Sequence, residues 1–273
     1  MKFSGRTILV VGAGSGLGKE LVRHLLHLGN RIIAFSRKAP EVWGSQGSGN
    51  PHPGRGSVVA VGGDVRQAKD VERLFRTIKD SGERLDGVFY CSGVSRPDYV
   101  EEPDVERALD TVSVNFEGAF RIFYAALPLI RNRPEAFLAG FTSMAGDRGV
   151  SRAHAYSSSK AALDRLLECL RIDLWDVNIN VFTIVPGYVE TPMTAQNRFP
   201  MPGIWPLSKS VSHITRRMEA GDLVIRFPWY HSLGMKLLNL LPNRLYWGLM
   251  SRSRCKVKIS TRPDDGFKWR TDI

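Results

Sequence analysis

Ser143, Tyr156 and Lys160 carry groups that could move a proton on and off a carbonyl or carbinol oxygen. Tyr156 and Lys160 stand four residues apart, so on a helix they share one face. A free phenol has a pKa of about 10 and is a poor acid or base at neutral pH, whereas an ammonium beside it favours the phenolate and lowers that value. Ser143 could reach the same oxygen from the end of a preceding strand. A tyrosine and a lysine at this spacing also occur in ordinary amphipathic helices, with the ring against the lysine stem. The motif therefore takes its weight from its surroundings.

The first of those surroundings is a glycine turn. Thr7 to Val11 is a short β-branched strand run, and Gly12, Gly16 and Gly18 follow it directly. Leu17, Leu21, Val22, Leu25, Leu26 and Leu28 then recur at helical spacing, closed by Gly29. Strand, glycine turn and helix together make the context of a dinucleotide site, because backbone N–H groups at the helix start can face a pyrophosphate with no Cβ in the way. Residues 31–35 read as the second strand, and Ser36-Arg37-Lys38 follows. An acid at this place would hold a ribose 2′-hydroxyl, while an arginine would pair with a 2′-phosphate. The expected cofactor is NADP(H) in preference to NAD(H); a solvated basic loop is the plainer alternative.

The same alternation continues along the chain. Residues 40–56 form a Gly/Ser/Pro-rich loop in which Trp43 and His52 look incidental. Strands are expected at 58–61, 88–91, 136–142 and 179–185, and helices at about 68–80, from about Asp104 through Asn115 to Arg131, and at 154–175. A further helix over 208–220 and a short strand over 223–227 would complete the sheet. Strands alternating with helices imply α/β architecture with a doubly wound parallel sheet. Ligands of such sheets bind at the carboxyl ends of the strands. Gly12, Ser36, Asp64, Gly93, Ser143 and Pro186 all fall at those ends.

Composition narrows the function. At 273 residues with 43% hydrophobic content, one large α/β domain with a full core is expected. The longest apolar run, residues 122–130, lies between two arginines and is too short to span a membrane. The N-terminal apolar run reads as a first strand, not a signal peptide. Cys91, Cys169 and Cys255 show no metal-ligand spacing and no even pairing, so no metal is expected and the compartment reads as reducing, that is cytoplasmic. Net charge is +11, and from Arg198 onward 14 Lys and Arg face 5 Asp and Glu. A nucleic-acid surface, an anionic membrane and a soluble basic tail all fit such a charge, but no nucleic-acid motif accompanies it.

Taken together the residues resemble the short-chain dehydrogenase/reductase family over about residues 5–191. The glycine turn has the family's spacing, with Val11 where a threonine is usual. The resemblance implies a Rossmann-like fold in which Ser143, Tyr156 and Lys160 are the catalytic serine, tyrosine and lysine. Asn115 would help hold a proton-relay water, and Asp64-Val65 would contact adenine. Pro186, Gly187 and Thr191 would hold the nicotinamide carboxamide, Lys160 would bind the nicotinamide ribose, and Val189 would also contact the cofactor. Ser15, Leu17, Ser36, Arg37 and Gly93 complete the implied cofactor contacts. The family's Asn-Asn-Ala-Gly is Tyr90-Cys91-Ser92-Gly93 here, and the usual C-terminal strand gives way to a basic, leucine-rich extension.

The implied activity is NADP-dependent hydride transfer at a carbonyl or secondary alcohol, with Tyr156 as general acid/base and Lys160 lowering its pKa. A catalytically silent cofactor-binding or regulatory protein of the same fold is the alternative. Met193, Phe199, Met201, Ile204 and Trp205 make the expected substrate flap, residues 188–206, apolar, which suits a hydrophobic substrate or simple packing of the flap. The aromatic helix after Asn115 suggests a homodimer or homotetramer. Residues 1–228 read as the catalytic domain and 229–273 as an amphipathic basic extension. Residues 230–258, with their leucines and flanking Lys and Arg, suit either packing on the protein or peripheral contact with a membrane.

Overall fold

Continuous apolar strand runs require cover on both faces, and the chain provides it with alternating helices. The computed structural model describes residues 1–44, 56–197 and 199–252. In order these are β1 (Thr7–Val11), α1 (Gly16–His27), β2 (Arg31–Ser36), α2 (Ala39–Trp43), β3 (Ser57–Gly62), α3 (Ala68–Asp80), β4 (Gly87–Tyr90) and α4 (Val105–Val112). A π-helical turn, Ser113–Glu117, leads into α5 (Gly118–Ile130). β5 (Ala136–Phe141), α6 (His154–Asp173), β6 (Ile179–Pro186), α7 (Leu207–Glu219), β7 (Val224–Phe227), α8 (Trp229–Leu240) and α9 (Asn243–Arg252) follow.

The seven strands are parallel, in the order β3-β2-β1-β4-β5-β6-β7. The chain winds outward from β1 to β3, returns to β4 beside β1, and winds out the other way. A crevice opens where the direction reverses, at the carboxyl ends of β1 and β4. One face of the sheet packs Leu9, Tyr90 and Leu138 against Phe123, Leu163 and Leu167 of α5 and α6. The other packs Ile8, Phe89, Phe137 and Phe182 against Leu21, Leu25, Ile214 and Met218 of α1 and α7. Every residue of β4 and β5 is buried, as strands covered on both sides must be.

Several expectations are corrected. The helix expected to run unbroken from about Asp104 through Asn115 to Arg131 is two α-helices joined by the π turn, because the Asn115 side chain is drawn inward. Its Oδ1 accepts from Val94 N at 2.8 Å, and the Tyr90 hydroxyl donates to Val114 O. Trp43 is not incidental: residues 39–43 form α2, and the indole Nε1 donates to Ala13 O at 2.9 Å, tying α2 to the glycine turn. His52 and Cys255 lie outside the described residues.

The described part of the C-terminal extension forms two helices flanking Pro242, and most of its leucines do not pack on the body: Leu238 and Leu241 are half-buried, whereas Leu233, Leu237, Leu240, Leu245 and Leu249 are exposed. What binds the pair to the body is polar and aromatic. Arg148 donates to Leu238 O and Leu241 O, and the Tyr246 hydroxyl donates to Gly149 O. No helix among the described residues is long and apolar enough to cross a membrane.

Candidate functional site

The glycine turn is built by close approach. At Gly12 (φ +87°) a Cβ would lie 2.6 Å from Ser92 N, and at Gly18 one would lie 2.3 Å from Gly12 O. Only glycine lets β1, the start of α1 and the end of β4 meet this closely. The first amides of α1 are left facing a cleft of about 620 Å³ at the carboxyl ends of the strands.

Gly12, Ser15, Gly16, Leu17 and Gly18 line this cleft at one end. Ser36, Arg37 and Lys38 line it beside them. The Ser36 hydroxyl is buried with no partner among the described residues, a polar group available to a ligand. Asp64, Val65 and Gly93 also line the cleft, as do Pro186, Gly187, Val189 and Thr191. Of the apolar flap residues, Met193 reaches the cleft. Trp205 instead packs on Phe227 and His213 of the body, and Phe199 contacts Tyr188.

Ser143, Tyr156 and Lys160 meet in the same cleft. β5 ends just before Ser143, whose hydroxyl caps the following short turn by accepting from Ala145 N at 3.1 Å. α6 presents Tyr156 and Lys160 one turn apart. Burial raises the Tyr156 pKa above its usual 10, and a hydrogen bond with Ser143 pulls it back. Lys160 makes no hydrogen bond to the phenol among the described residues. Its Nζ donates to Phe141 O at 2.6 Å and sits 5.8 Å from the Tyr156 ring centre. Burial pulls the Lys160 pKa down to about 8.

Asn115 does not line the cleft. Fully buried in the π turn, it donates to Val94 O and Ser159 Oγ, and Ser159 in turn donates to Tyr156 O. Its side chain brackets the loop after β4 against α6. Asp64 is held by Arg66 through three side-chain hydrogen bonds, the main reason its carboxyl lies below the usual range, and through one from the Arg66 backbone N–H. Arg66 also pairs with Asp110, which pairs with Arg96. Sequence reasoning missed this network and missed Tyr90. The first had a signal in the Asp-x-Arg spacing at 64 and 66; the second had one in a tyrosine standing in a buried strand, where its hydroxyl must find a partner.

With the geometry in view, comparison with known proteins is informative. The family model described as short chain dehydrogenase matches residues 6–201. An uncharacterized oxidoreductase of Myxococcus xanthus is 33% identical over 257 residues, 93% of this chain and 99% of the relative. Ipsdienol dehydrogenase of Ips pini is 32% identical over 206 residues, 71% of this chain and 78% of the relative. The fold matches a short chain dehydrogenase from Burkholderia cenocepacia solved in complex with NADP, with a TM-score of 0.75 and 24% identity, covering 92% of this chain and 98% of that one.

The buried ammonium has a measurable consequence. The folded pKa of Lys160, about 8, lies below the usual 10.5. Below about pH 8 both folded and unfolded states hold the proton, and the fold bears the whole cost of burying it. Between about 8 and 10.5 the folded protein has released the proton while the unfolded chain has not, so that cost fades as pH rises. Relative to Lys160→Met, the parent should therefore gain about 3 kcal/mol of unfolding free energy between pH 7 and 10.5. Paired urea titrations check this, since the unfolded-state titrations of all other groups are common to both proteins and burial keeps Tyr90 and Cys91 protonated across that window in the fold. A constant gap across that window would contradict it.

Proposed function

The chain belongs to the short-chain dehydrogenase family, and on that premise we propose that it is an NADP-dependent oxidoreductase acting on a carbonyl or secondary alcohol of a hydrophobic substrate. The observation that carries this reading is the meeting of Ser143, Tyr156 and Lys160 in a cleft whose other end is a glycine turn flanked by Ser36, Arg37 and Lys38. The name of the Ips pini relative, a dehydrogenase of an alcohol, agrees in reaction type.

The fit to the cofactor rests on this chain's own features. The Gly12–Gly18 turn, which a Cβ at Gly12 or Gly18 would force apart, lines the cleft where a pyrophosphate would lie, and the unpartnered Ser36 hydroxyl with Arg37 and Lys38 suits a 2′-phosphate. Asp64 and Val65 would flank adenine, Gly93 would let the cofactor approach backbone closely, Pro186, Gly187 and Thr191 would hold the carboxamide, and Val189 would also contact the cofactor. The bound nicotinamide supplies or accepts the hydride.

Protein groups handle the proton and the orientation. Burial keeps the Tyr156 phenol protonated at neutral pH, the form that can donate to an oxygen gaining charge during carbonyl reduction. Ser143 would share that oxygen and orient it. Lys160, with a pKa of about 8, is matched to proton exchange near neutral pH. Asn115 holds the backbone around them. Catalysis is assigned to residues 1–228, with Met193 contributing apolar lining from the flap. The free thiols Cys91 and Cys169 fit a reducing cytoplasm.

Phe120 and Tyr124 stack at 4.8 Å yet remain exposed on α5, and Ile172 and Trp175 are exposed at the end of α6. These unpartnered apolar groups support a homodimer or homotetramer; light scattering that gave a monomer at micromolar concentration would contradict it.

Cofactor choice is tested by titrating the protein with both nucleotides. NADPH should bind tighter than NADH, and Arg37→Glu should level or reverse the order, since one charge-assisted pair is worth about ten- to a hundredfold in affinity. Equal affinities in the parent would contradict the reading. Tyr156→Phe keeps the ring and removes the exchangeable proton, so NADPH binding should persist while carbonyl reduction falls by about 10²–10⁴-fold. Turnover close to the parent's would remove Tyr156 from the acid/base role.

A further inference from the structure

We propose that α8 and α9 form a docking face for an anionic lipid bilayer, which places the substrate flap at the membrane surface. The apolar groups come first. On α8, Trp229, Leu233, Leu237 and Leu240 recur at spacings of four, four and three, hence on one face, and are between 49% and 80% exposed. α9 adds Leu245, Trp247 and Leu249, each close to half exposed or more. Isolated exposed leucines are ordinary, whereas this many on one helix pair marks a surface that meets something apolar.

The stripe is not the outside of a loose tail. Arg148 grips the junction between the two helices, donating to Leu238 O at 2.9 Å, to Leu241 O at 3.1 Å and to Asn243 Oδ1 at 2.7 Å. Its guanidinium stacks 3.8 Å from the ring centre of Tyr246, which is 3% exposed. The helices are thus bound to the body by the contact of a half-buried arginine with a buried tyrosine, and that attachment turns the leucines outward.

Charge selects the partner. The helices carry Lys236, Arg244 and Arg252 and no acidic residue, and the sequence reaches Lys258 without one. Lys236 has no carboxylate partner among the described residues. It rims a second cleft, of about 320 Å³, together with Arg217 and Arg226; Trp229 and Leu233 form its wall. Arg217 and Arg226 are paired with Asp222 and Asp147, which leaves Lys236 as the rim's free cation among the described residues. A second copy of this chain docked about a two-fold axis would set these cations against themselves with no acid on the helices to offset them. Anionic headgroups over an apolar interior complement both features. Helices of 12 and 10 residues cannot span, so the pair lies in the interface plane.

The first turn of α8 also carries the flap. The Tyr230 hydroxyl donates to Gly203 O at 2.9 Å, His231 Nε2 pairs with Pro202 O at 2.8 Å, and Trp205 Nε1 donates to the Tyr230 hydroxyl at 3.2 Å. Docking through Trp229 and Leu233 therefore holds the flap beside the lipid. Given the oxidoreductase reading, on which this clause rests, the substrate class is a carbonyl or alcohol dissolved in the bilayer.

Co-sedimentation of the full chain with vesicles of phosphatidylcholine, with and without phosphatidylglycerol, tests the docking. The protein should pellet with the anionic vesicles and lose binding as salt rises. Leu237→Glu/Leu240→Glu keeps good helix formers on an exposed face and should weaken binding by about tenfold or more, with melting temperature and reduction of a water-soluble ketone unchanged. No pelleting of folded parent at low salt, or equal pelleting of the double variant, would overturn the proposal. So would light scattering in which the double variant splits an assembly that the parent forms, since the stripe would then be a subunit interface. Absence of turnover in parent and variant alike would sink the oxidoreductase reading and leave the docking result standing.

Discussion

The ammonium of Lys160, buried to 4% exposure and donating to the carbonyl of Phe141, fixes the site around it. A charge taken out of water is costly unless it is hydrogen-bonded, and this bond joins α6 to the end of β5 at that cost. The neighbours follow from it. A Cβ on Gly93 would lie 3.3 Å from Lys160 Nζ and 3.4 Å from Asn115 Oδ1, so glycine leaves β4 room to end against both. Asn115 clasps Val94 and Ser159, and to do so it sits in a π turn rather than a regular helix. The Tyr90 hydroxyl accommodates that turn by taking Val114 O, and Gly118 makes room for the hydroxyl, which a Cβ would approach to 2.4 Å. The substitution of Tyr90-Cys91-Ser92 for the more usual run thus comes with its own support.

At the other end of the cleft the charges are balanced differently. Asp64 and Asp110 alternate with Arg66 and Arg96 in a partly exposed chain of ion pairs, so the Asp64 carboxylate is already engaged by protein. Arg37 and Lys38 beside the cleft form no ion pair among the described residues, although Arg37 is near enough to Asp64 to help lower its carboxyl. Burial dominates near Tyr156, ion pairing dominates near Asp64, and the glycine turn separates the two.

Much of this was legible in the sequence because it depends on local rules. Apolar strand runs, helical periodicity and glycines at strand ends placed all seven strands and brought the cofactor-type positions to one edge. The features that escaped depend on tertiary contacts. The π turn at Ser113–Glu117 follows from where the Asn115 side chain bonds, which no local signal announced. Helical spacing put Tyr156 and Lys160 on one face, but it could not say that the ammonium would donate to Phe141 O. The leucine stripe of α8 was visible, yet its outward orientation follows from Arg148 and Tyr246, which lie 90 or more residues apart. Trp43 had no periodic context, and its bond to Ala13 O became apparent only in three dimensions.

Burial, opposed by the hydrogen bond with Ser143, raises the Tyr156 pKa above its ordinary value. Tyrosine labelled at the phenol carbon and followed by NMR as pH is raised, with Tyr156 assigned by comparison with Tyr156→Phe, tests it most directly. In the cofactor-free protein Tyr156 should titrate above the usual value of 10. A resonance that titrates below that value would contradict it and return the lysine to control of the phenol.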